Sequence, residues 1–271
     1  MAAALDGQHA FITGGGSGIG LACARAFLAA GARVSLMGRS LERLERAQAE
    51  LAALGDVHVC AGDVGEEAEV EAALASLNDV APITIAVANA GTGGLAPLTV
   101  TTDADWQRIL QTNLSGTFYT FKHAAVHIAR AGGGAMCAIS SIAGVRTHRF
   151  MHAYAASKAA IDMLVRTSAD ELGAAGVRVN SVCPGLVDTE IAAGLFATDA
   201  VLKDYLDCMP LRRTGVPADI GHAVRFLCGP ESSWITGVSL SVDGGHHLRR
   251  GPNYEPFIRP LFGDDLAEGR L

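Results

Sequence analysis

The chain has 271 residues, 49% of them hydrophobic, which is enough to bury one large core. Its formal charge of −7 arises from interspersed acidic and basic residues, so it lacks the basic face that a nucleic-acid binder needs. With no apolar run of about 18 residues, and no basic flank or long apolar stretch in the opening MAAALDGQHA, the expectation is a cytoplasmic protein that neither crosses nor binds a membrane.

Apolar, β-rich runs at 9–14, 33–38, 57–62, 83–91, 135–140, 177–185 and 238–245 read as strands. The first six alternate with helical patterns at Gly18–Ala30, Leu41–Leu54, Glu66–Leu77, Asp103–Arg130, Ala153–Ala175 and Ala218–Cys228. This alternation predicts an α/β fold: a Rossmann-like, doubly wound parallel sheet of about seven strands with helices on both faces, in one domain over 1–245. Six scattered cysteines without a CxxC pair fit a reducing compartment. Ligands in such a sheet lie at the carboxyl ends of the strands, so residues just after each apolar run are the ones to inspect.

After the first run comes Thr13-Gly14-Gly15-Gly16-Ser17-Gly18-Ile19-Gly20, opening a helix. Small residues there let a diphosphate approach backbone N–H groups and the positive end of the helix dipole. After the second run, Gly38 offers no carboxylate to a ribose, while Arg39 and Ser40 offer donors suited to a 2′-phosphate. The expected cofactor is therefore NADP(H), with NAD(H) kept open because Arg39 stands alone in this argument. Asp63 follows the third run, facing an adenine edge or capping the next helix. Asn89-Ala90-Gly91 follows the fourth, with small residues where backbone approaches a ribose.

Tyr154 and Lys158 lie four apart, one helical turn, on one face. Protonating a developing alkoxide needs an acid, and an ammonium beside a phenol favours the phenolate, which would bring its pKa down. Ser141, thirteen residues before Tyr154, ends a strand and is placed to polarise a carbonyl oxygen. Asn113 sits mid-helix, where asparagine has poor propensity, and is expected to hold water or backbone in a proton relay to Lys158.

These residues carry a resemblance covering Leu5 to Gly245. TGGGSGIG (13–20), GDV (62–64), ANAG (88–91), TNLSGTF (112–118), ISS (139–141), YAASK (154–158) and VNSVCPGLVDT (179–189) resemble the motifs of the short-chain dehydrogenase/reductase family. The resemblance implies a catalytic tetrad of Asn113, Ser141, Tyr154 and Lys158. It implies a cofactor site of Gly14, Ser17, Gly18, Ile19, Gly20, Arg39, Ser40, Asp63, Val64, Asn89, Ala90, Gly91, Tyr154, Lys158, Pro184, Gly185, Val187 and Thr189, with Thr189 at the nicotinamide carboxamide. It also suggests a homotetramer or homodimer, with faces of the helices at Asp103–Arg130 and Ala153–Ala175 buried against a partner. Ser17 stands where many NADP(H)-preferring relatives carry a basic residue.

The expected reaction interconverts a ketone, or a 3-oxoacyl thioester, and a secondary alcohol, with Tyr154 as general acid and base. A non-catalytic nucleotide sensor or scaffold on the same fold is the alternative. The substrate pocket is expected from Thr92–Leu95, Val145–Met151, Leu186 and a mostly apolar lid, Glu190–Arg213, with Ser141, His148, Met151, Tyr154 and Leu186 as contacts. The apolar lid favours a hydrophobic substrate. Arg146, His148, Arg149 and His152 either bind an anion or face solvent or a subunit interface. The histidine pairs His123/His127 and His148/His152 have metal-like spacing, but no Glu or Cys nearby in sequence completes a site, so no metal is expected. The last 26 residues, 246–271, carry Tyr254, Phe257, Leu261 and Phe262. They are expected to pack on their own or a neighbouring subunit, with disorder as the other outcome.

Overall fold

A computed structural model describes residues 4–270. Its sheet has seven parallel strands in the order β3-β2-β1-β4-β5-β6-β7. In chain order the strands are β1 His9–Thr13, β2 Arg33–Gly38, β3 Val57–Ala61, β4 Ile85–Ala88, β5 Gly134–Ile139, β6 Val177–Pro184 and β7 Ser239–Val242. Every observed strand begins within two residues of its expected start; most stop one to three short, where the chain turns into a ligand-facing loop. β1, β4 and the end of β5 are buried throughout, as unalternating apolar runs require when both faces are covered.

The helices are α1 Gly18–Ala29, α2 Leu41–Leu51, α3 Glu67–Asn78, α4 Asp103–Leu110, α5 Gly116–Arg130, α6 His152–Leu172, α7 Ala193–Phe196, α8 Asp199–Cys208, α9 Pro217–Cys228, α10 Glu255–Phe262 and α11 Asp264–Glu268. Phe27, Leu44, Leu51, Ile220 and Val224 of α1, α2 and α9 bury one sheet face. Val70, Leu74, Phe121, Ile161 and Val165 of α3, α5 and α6 bury the other. β1 pairs with β2 on one side and β4 on the other, so the chain changes direction across the sheet at β1. The carboxyl ends of β1 and β4 therefore diverge and open a crevice.

One expectation changes. The stretch Asp103–Arg130 is not one helix: a π-helical turn, Gln111–Ser115, separates α4 from α5. The lid is broken into a 3₁₀ turn at Glu190–Ala192, then α7 and α8. Residues 246–270 fold back on the same chain, where Tyr254, Ile258 and Ala267 pack with Phe150, Leu186, Val201, Tyr205 and Met209. Residue 271, the last of the expected extension, lies outside the described residues.

Candidate active site

A single cavity of about 1060 Å³ runs along the carboxyl ends of the strands. It is lined by every residue named above for the cofactor except Gly20, and by the substrate contacts Ser141, His148, Met151, Tyr154 and Leu186, but not by Asn113; of the expected pocket segments, Val145–Thr147, Arg149, Phe150 and most of the lid beyond Leu195 stay off its wall. Gly20 and Asn113 act from behind the wall.

Gly14 has φ +65° and Gly18 φ +53°, backbone that side chains rarely adopt. A Cβ at Gly20 would run into the Gly14 carbonyl and lie 2.6 Å from Asn89 Nδ2. Asn89 explains this crowding: its amide donates to Thr13 O at 2.9 Å and Gly14 O at 3.1 Å. The side chain expected near a ribose is thus spent on bracing the glycine loop. Thr13 does the converse, its fully buried Oγ1 accepting from the amides of Asn89 and Ala90 at 3.0 and 3.1 Å. Nothing in the glycine motif by itself marks Thr13 or Asn89 as partners; the β1–β4 adjacency creates the pair. Gly20→Ala is expected to lower the midpoint of thermal unfolding by several degrees, in line with a clash of about 1–3 kcal/mol, and to weaken nucleotide binding. A melting curve with and without cofactor checks both; unchanged melting would contradict the packing described.

Ser17 starts α1 without a side-chain cap bond, so the first-turn amides stay directed at the crevice. Thr189 Cγ2 lies 3.4 Å from where a Gly18 Cβ would stand, which sets the width of the slot between the two loops. Arg39 is exposed and lines the cavity, while Ser40 Oγ caps α2, accepting from Arg43 N at 3.3 Å. Asp63 Oδ1 holds the amide of Gly65 at 2.9 Å and still lines the cavity. Arg43 went unnoticed in the sequence. It lines the same end and pairs with Glu190 of the lid at 2.7 Å, a contact between two distant segments that no local pattern signals.

Asn113 is fully buried. Its Oδ1 accepts from Thr92 N at 2.8 Å, and its Nδ2 donates to Thr92 O at 3.0 Å and Ser157 Oγ at 3.1 Å. These tertiary bonds, with Thr117 Oγ1 donating to Asn113 O at 2.7 Å, are the physical reason for the π turn, a feature frequent at functional sites. Asn113 therefore ties the loop after β4 to α6. Lys158 is buried, and its Nζ donates to Ile139 O at 2.7 Å and stands 5.6 Å from the Tyr154 ring centroid. Burial lowers its pKa to about 8, opposed by Asp162.

Tyr154 behaves differently from expectation. Burial raises its hydroxyl above the usual phenol value, and the opposing influence is a hydrogen bond with Ser141, not the Lys158 ammonium. The phenol is consequently protonated at neutral pH.

The cluster after β5 also departs from expectation. Arg146 donates to His247 O, and Arg149 reaches Glu255 and Ala267 O. Arg146 and Arg149 thus fasten the C-terminal segment, Arg149 while still facing solvent along half its side chain. His148 is buried, and burial takes its pKa down to about 4. His123 meets Glu67 at 3.0 Å, a partner brought from α3 that the sequence neighbourhood does not contain, though no cluster of three ligating side chains forms among the described residues. Among those residues no helix is long and apolar enough to cross a membrane.

A family model described as enoyl-(acyl carrier protein) reductase matches residues 14–247, and relatives align over nearly the whole chain. The chain is a short-chain dehydrogenase/reductase. Galactitol 2-dehydrogenase (L-tagatose-forming) of Cereibacter sphaeroides is 38% identical over 89% of this chain and 96% of its own. The structure of a short-chain type dehydrogenase/reductase from Mycobacterium ulcerans superposes with a TM-score of 0.96 at 37% identity, covering 99% of this chain and 100% of that one. A structure of 7α-hydroxysteroid dehydrogenase, complexed with NADH and 7-oxo glycochenodeoxycholic acid, superposes at 0.86 and 34% identity over 90% and 96% of the two chains. This short-chain dehydrogenase/reductase is thus an alcohol–ketone oxidoreductase using a nicotinamide cofactor.

Proposed function

We propose that the chain interconverts a ketone and a secondary alcohol with NADP(H), and that Tyr154 transfers the proton. The observation that carries this reading is the arrangement of Ser141, Tyr154 and Lys158 on one wall of a cavity whose other end is the glycine loop and Arg39. The glycine cradle, the uncapped start of α1 and the absence of a carboxylate at Gly38 fit a dinucleotide with a 2′-phosphate. Gly14 to Gly20 and Asn89 to Gly91 would hold its diphosphate and ribose, Asp63 and Val64 its adenine, and Pro184, Gly185, Val187 and Thr189 its nicotinamide.

The nicotinamide supplies or accepts the hydride. The protein's own residues handle the oxygen and the proton. Ser141 and Tyr154 donate hydrogen bonds to the carbonyl oxygen, where charge develops. A protonated Tyr154 is the state that reduction needs, and it yields its proton to the new alkoxide. Lys158 repays the charge that then forms on the phenol, and Asn113 keeps the surrounding loops in place. Met151, His148 and Leu186 complete the substrate contacts. The C-terminal extension we read as an appendage to the nucleotide-binding domain that walls this pocket, through Phe257. The exposed apolar side chains Phe118, Val126 and Met163 on α5 and α6 support assembly into dimers or tetramers through those helices.

Cofactor oxidation followed by absorbance, with NADPH and NADH in parallel against a panel of ketones and acyl thioesters, tests this reading. Faster turnover with NADPH is expected. Turnover confined to NADH would overturn the cofactor assignment, and none at all with bound cofactor would overturn the reaction. Arg39→Ala is expected to cut kcat/KM with NADPH roughly 10- to 100-fold, the scale of one or two charge-assisted hydrogen bonds, with little effect on NADH. Equal losses with both cofactors would mean that Arg39 has no role at the 2′-phosphate.

A further inference from the structure

Four polar aromatic rings pack together where the loop after β5 meets the C-terminal segment. His148 lies 6.0 Å from His246 and 6.3 Å from Tyr254, and Tyr205 lies 5.5 Å from His246 and 5.9 Å from Tyr254, between ring centroids. All four are buried, and only His148 and Tyr205 reach the cavity. The group joins three distant segments: the loop after β5, lid helix α8 and the C-terminal segment.

The polarity of each exposed atom follows from its partners. His148 Nδ1 faces the Arg146 carbonyl at 3.1 Å. A carbonyl only accepts, so Nδ1 carries the hydrogen and Nε2 of the neutral ring is an acceptor. The hydroxyls of Tyr205 and Tyr254 bond to each other and to nothing else among the described residues. Were Tyr205 the donor, the Tyr254 hydrogen would be stranded in a fully buried position, at the full desolvation cost. Tyr254 therefore donates, and the Tyr205 hydrogen is left for the cavity. One wall of the pocket thus presents a donor and an acceptor, both neutral.

Resting on the ketone–alcohol reading above, we propose that this wall recognises a second, uncharged hydroxyl group on the substrate, which can both accept from Tyr205 and donate to His148. The substrate class is then a hydroxy ketone and its diol, with an apolar frame against Leu186, Met151 and Phe257. A carboxylate is disfavoured, since it cannot donate to His148 Nε2 and burial keeps that ring neutral. The loop bearing His148 is held rigid: Phe150 is kept at φ +72°, left-handed backbone costly for a bulky side chain, and Arg149 lies 4.7 Å over its ring while binding the C-terminal segment. Tyr254 belongs to that segment, so the extension sets which oxygen is read.

The test compares cyclohexanol with cyclohexane-1,2-, 1,3- and 1,4-diol as substrates with NADP⁺ and NAD⁺, and as ligands by calorimetry on the protein with its reduced cofactor. At least one diol is expected to exceed cyclohexanol about tenfold or more in kcat/KM and affinity, because unmatched buried polar groups penalise the analogue lacking the hydroxyl. Tyr205→Phe and Tyr254→Phe should each lower that ratio, whereas loss of packing alone would lower both substrates equally and leave it unchanged. Diols no better than cyclohexanol, or an unmoved ratio in both variants, would overturn the proposal. Absence of turnover with selective diol binding would instead sink the redox reading and leave the hydroxyl recognition standing.

Discussion

Tyr154→Phe is expected to lower turnover roughly 10²- to 10⁴-fold, the range that positioned acid–base catalysis contributes, while the cofactor dissociation constant moves little. The substitution keeps the ring that Lys158 overlies at 5.6 Å and deletes only the hydroxyl. What is lost is the proton, together with one of two donors to the carbonyl oxygen. Single-turnover reduction separates this from binding, which fluorescence titration of the reduced cofactor reads independently. Near-normal turnover would remove Tyr154 from the chemistry; loss of cofactor affinity would make it a binding residue. The pH profile adds a direction. Since burial raises the Tyr154 hydroxyl, reduction is expected to persist through neutral pH, and oxidation, which needs the phenolate, to quicken as pH rises.

Lys158→Met is expected to abolish most activity and yet stabilise the protein at pH 7. Burial holds the Lys158 pKa at about 8, below the ordinary 10.5. A folded-state value below the unfolded one means that the unfolded chain binds more protons between those limits, so stability rises with pH across about 8 to 10.5. Below pH 8 the folded protein carries the whole cost of a buried ammonium, roughly 3 kcal/mol by that shift. Methionine removes this cost but leaves Ile139 O without the 2.7 Å bond from Nζ, a loss of about 1–2 kcal/mol. Relief wins, and the unfolding midpoint should rise by a few degrees. The advantage should shrink toward pH 10.5. The difference between the two proteins is the quantity to follow, because Cys183, whose thiol burial pushes up to about 12, and Tyr205, also raised, pull the stability of both down over the same range. Denaturant unfolding of both proteins at pH 7 and pH 10 suffices. A variant less stable at pH 7, or a difference independent of pH, would show that Lys158 is accommodated without strain. A group kept at a cost to stability is what a functional role leads one to look for.

The chain's local patterns were enough to determine the sheet, its crossovers and where the ligand end lies. Unalternating apolar runs such as HAFIT and the helical periods between them depend only on neighbours along the chain, and so do the glycine loop and the spacing of Tyr154 and Lys158. What reads correctly from sequence alone is that which the backbone settles within a turn or a strand. Tertiary structure decided the rest. Asn113 breaks its helix because Thr92 and Ser157, 21 and 44 residues away, claim its amide. Asn89 faces Thr13 and Gly14 because β1 and β4 are neighbours in the sheet, not in the chain. Arg146 and Arg149 could be read as an anion site or as a surface facing solvent or a partner, until the C-terminal segment supplied the carbonyls and carboxylate that they meet. Lys158 lies on the face expected of it, but whether it lowers the Tyr154 pKa depends on burial and on Ser141, and those come from packing. Hydrogen bonds and desolvation act across space without regard to chain separation, and that is why the pocket's scaffold was legible in the sequence while its polar partners were not.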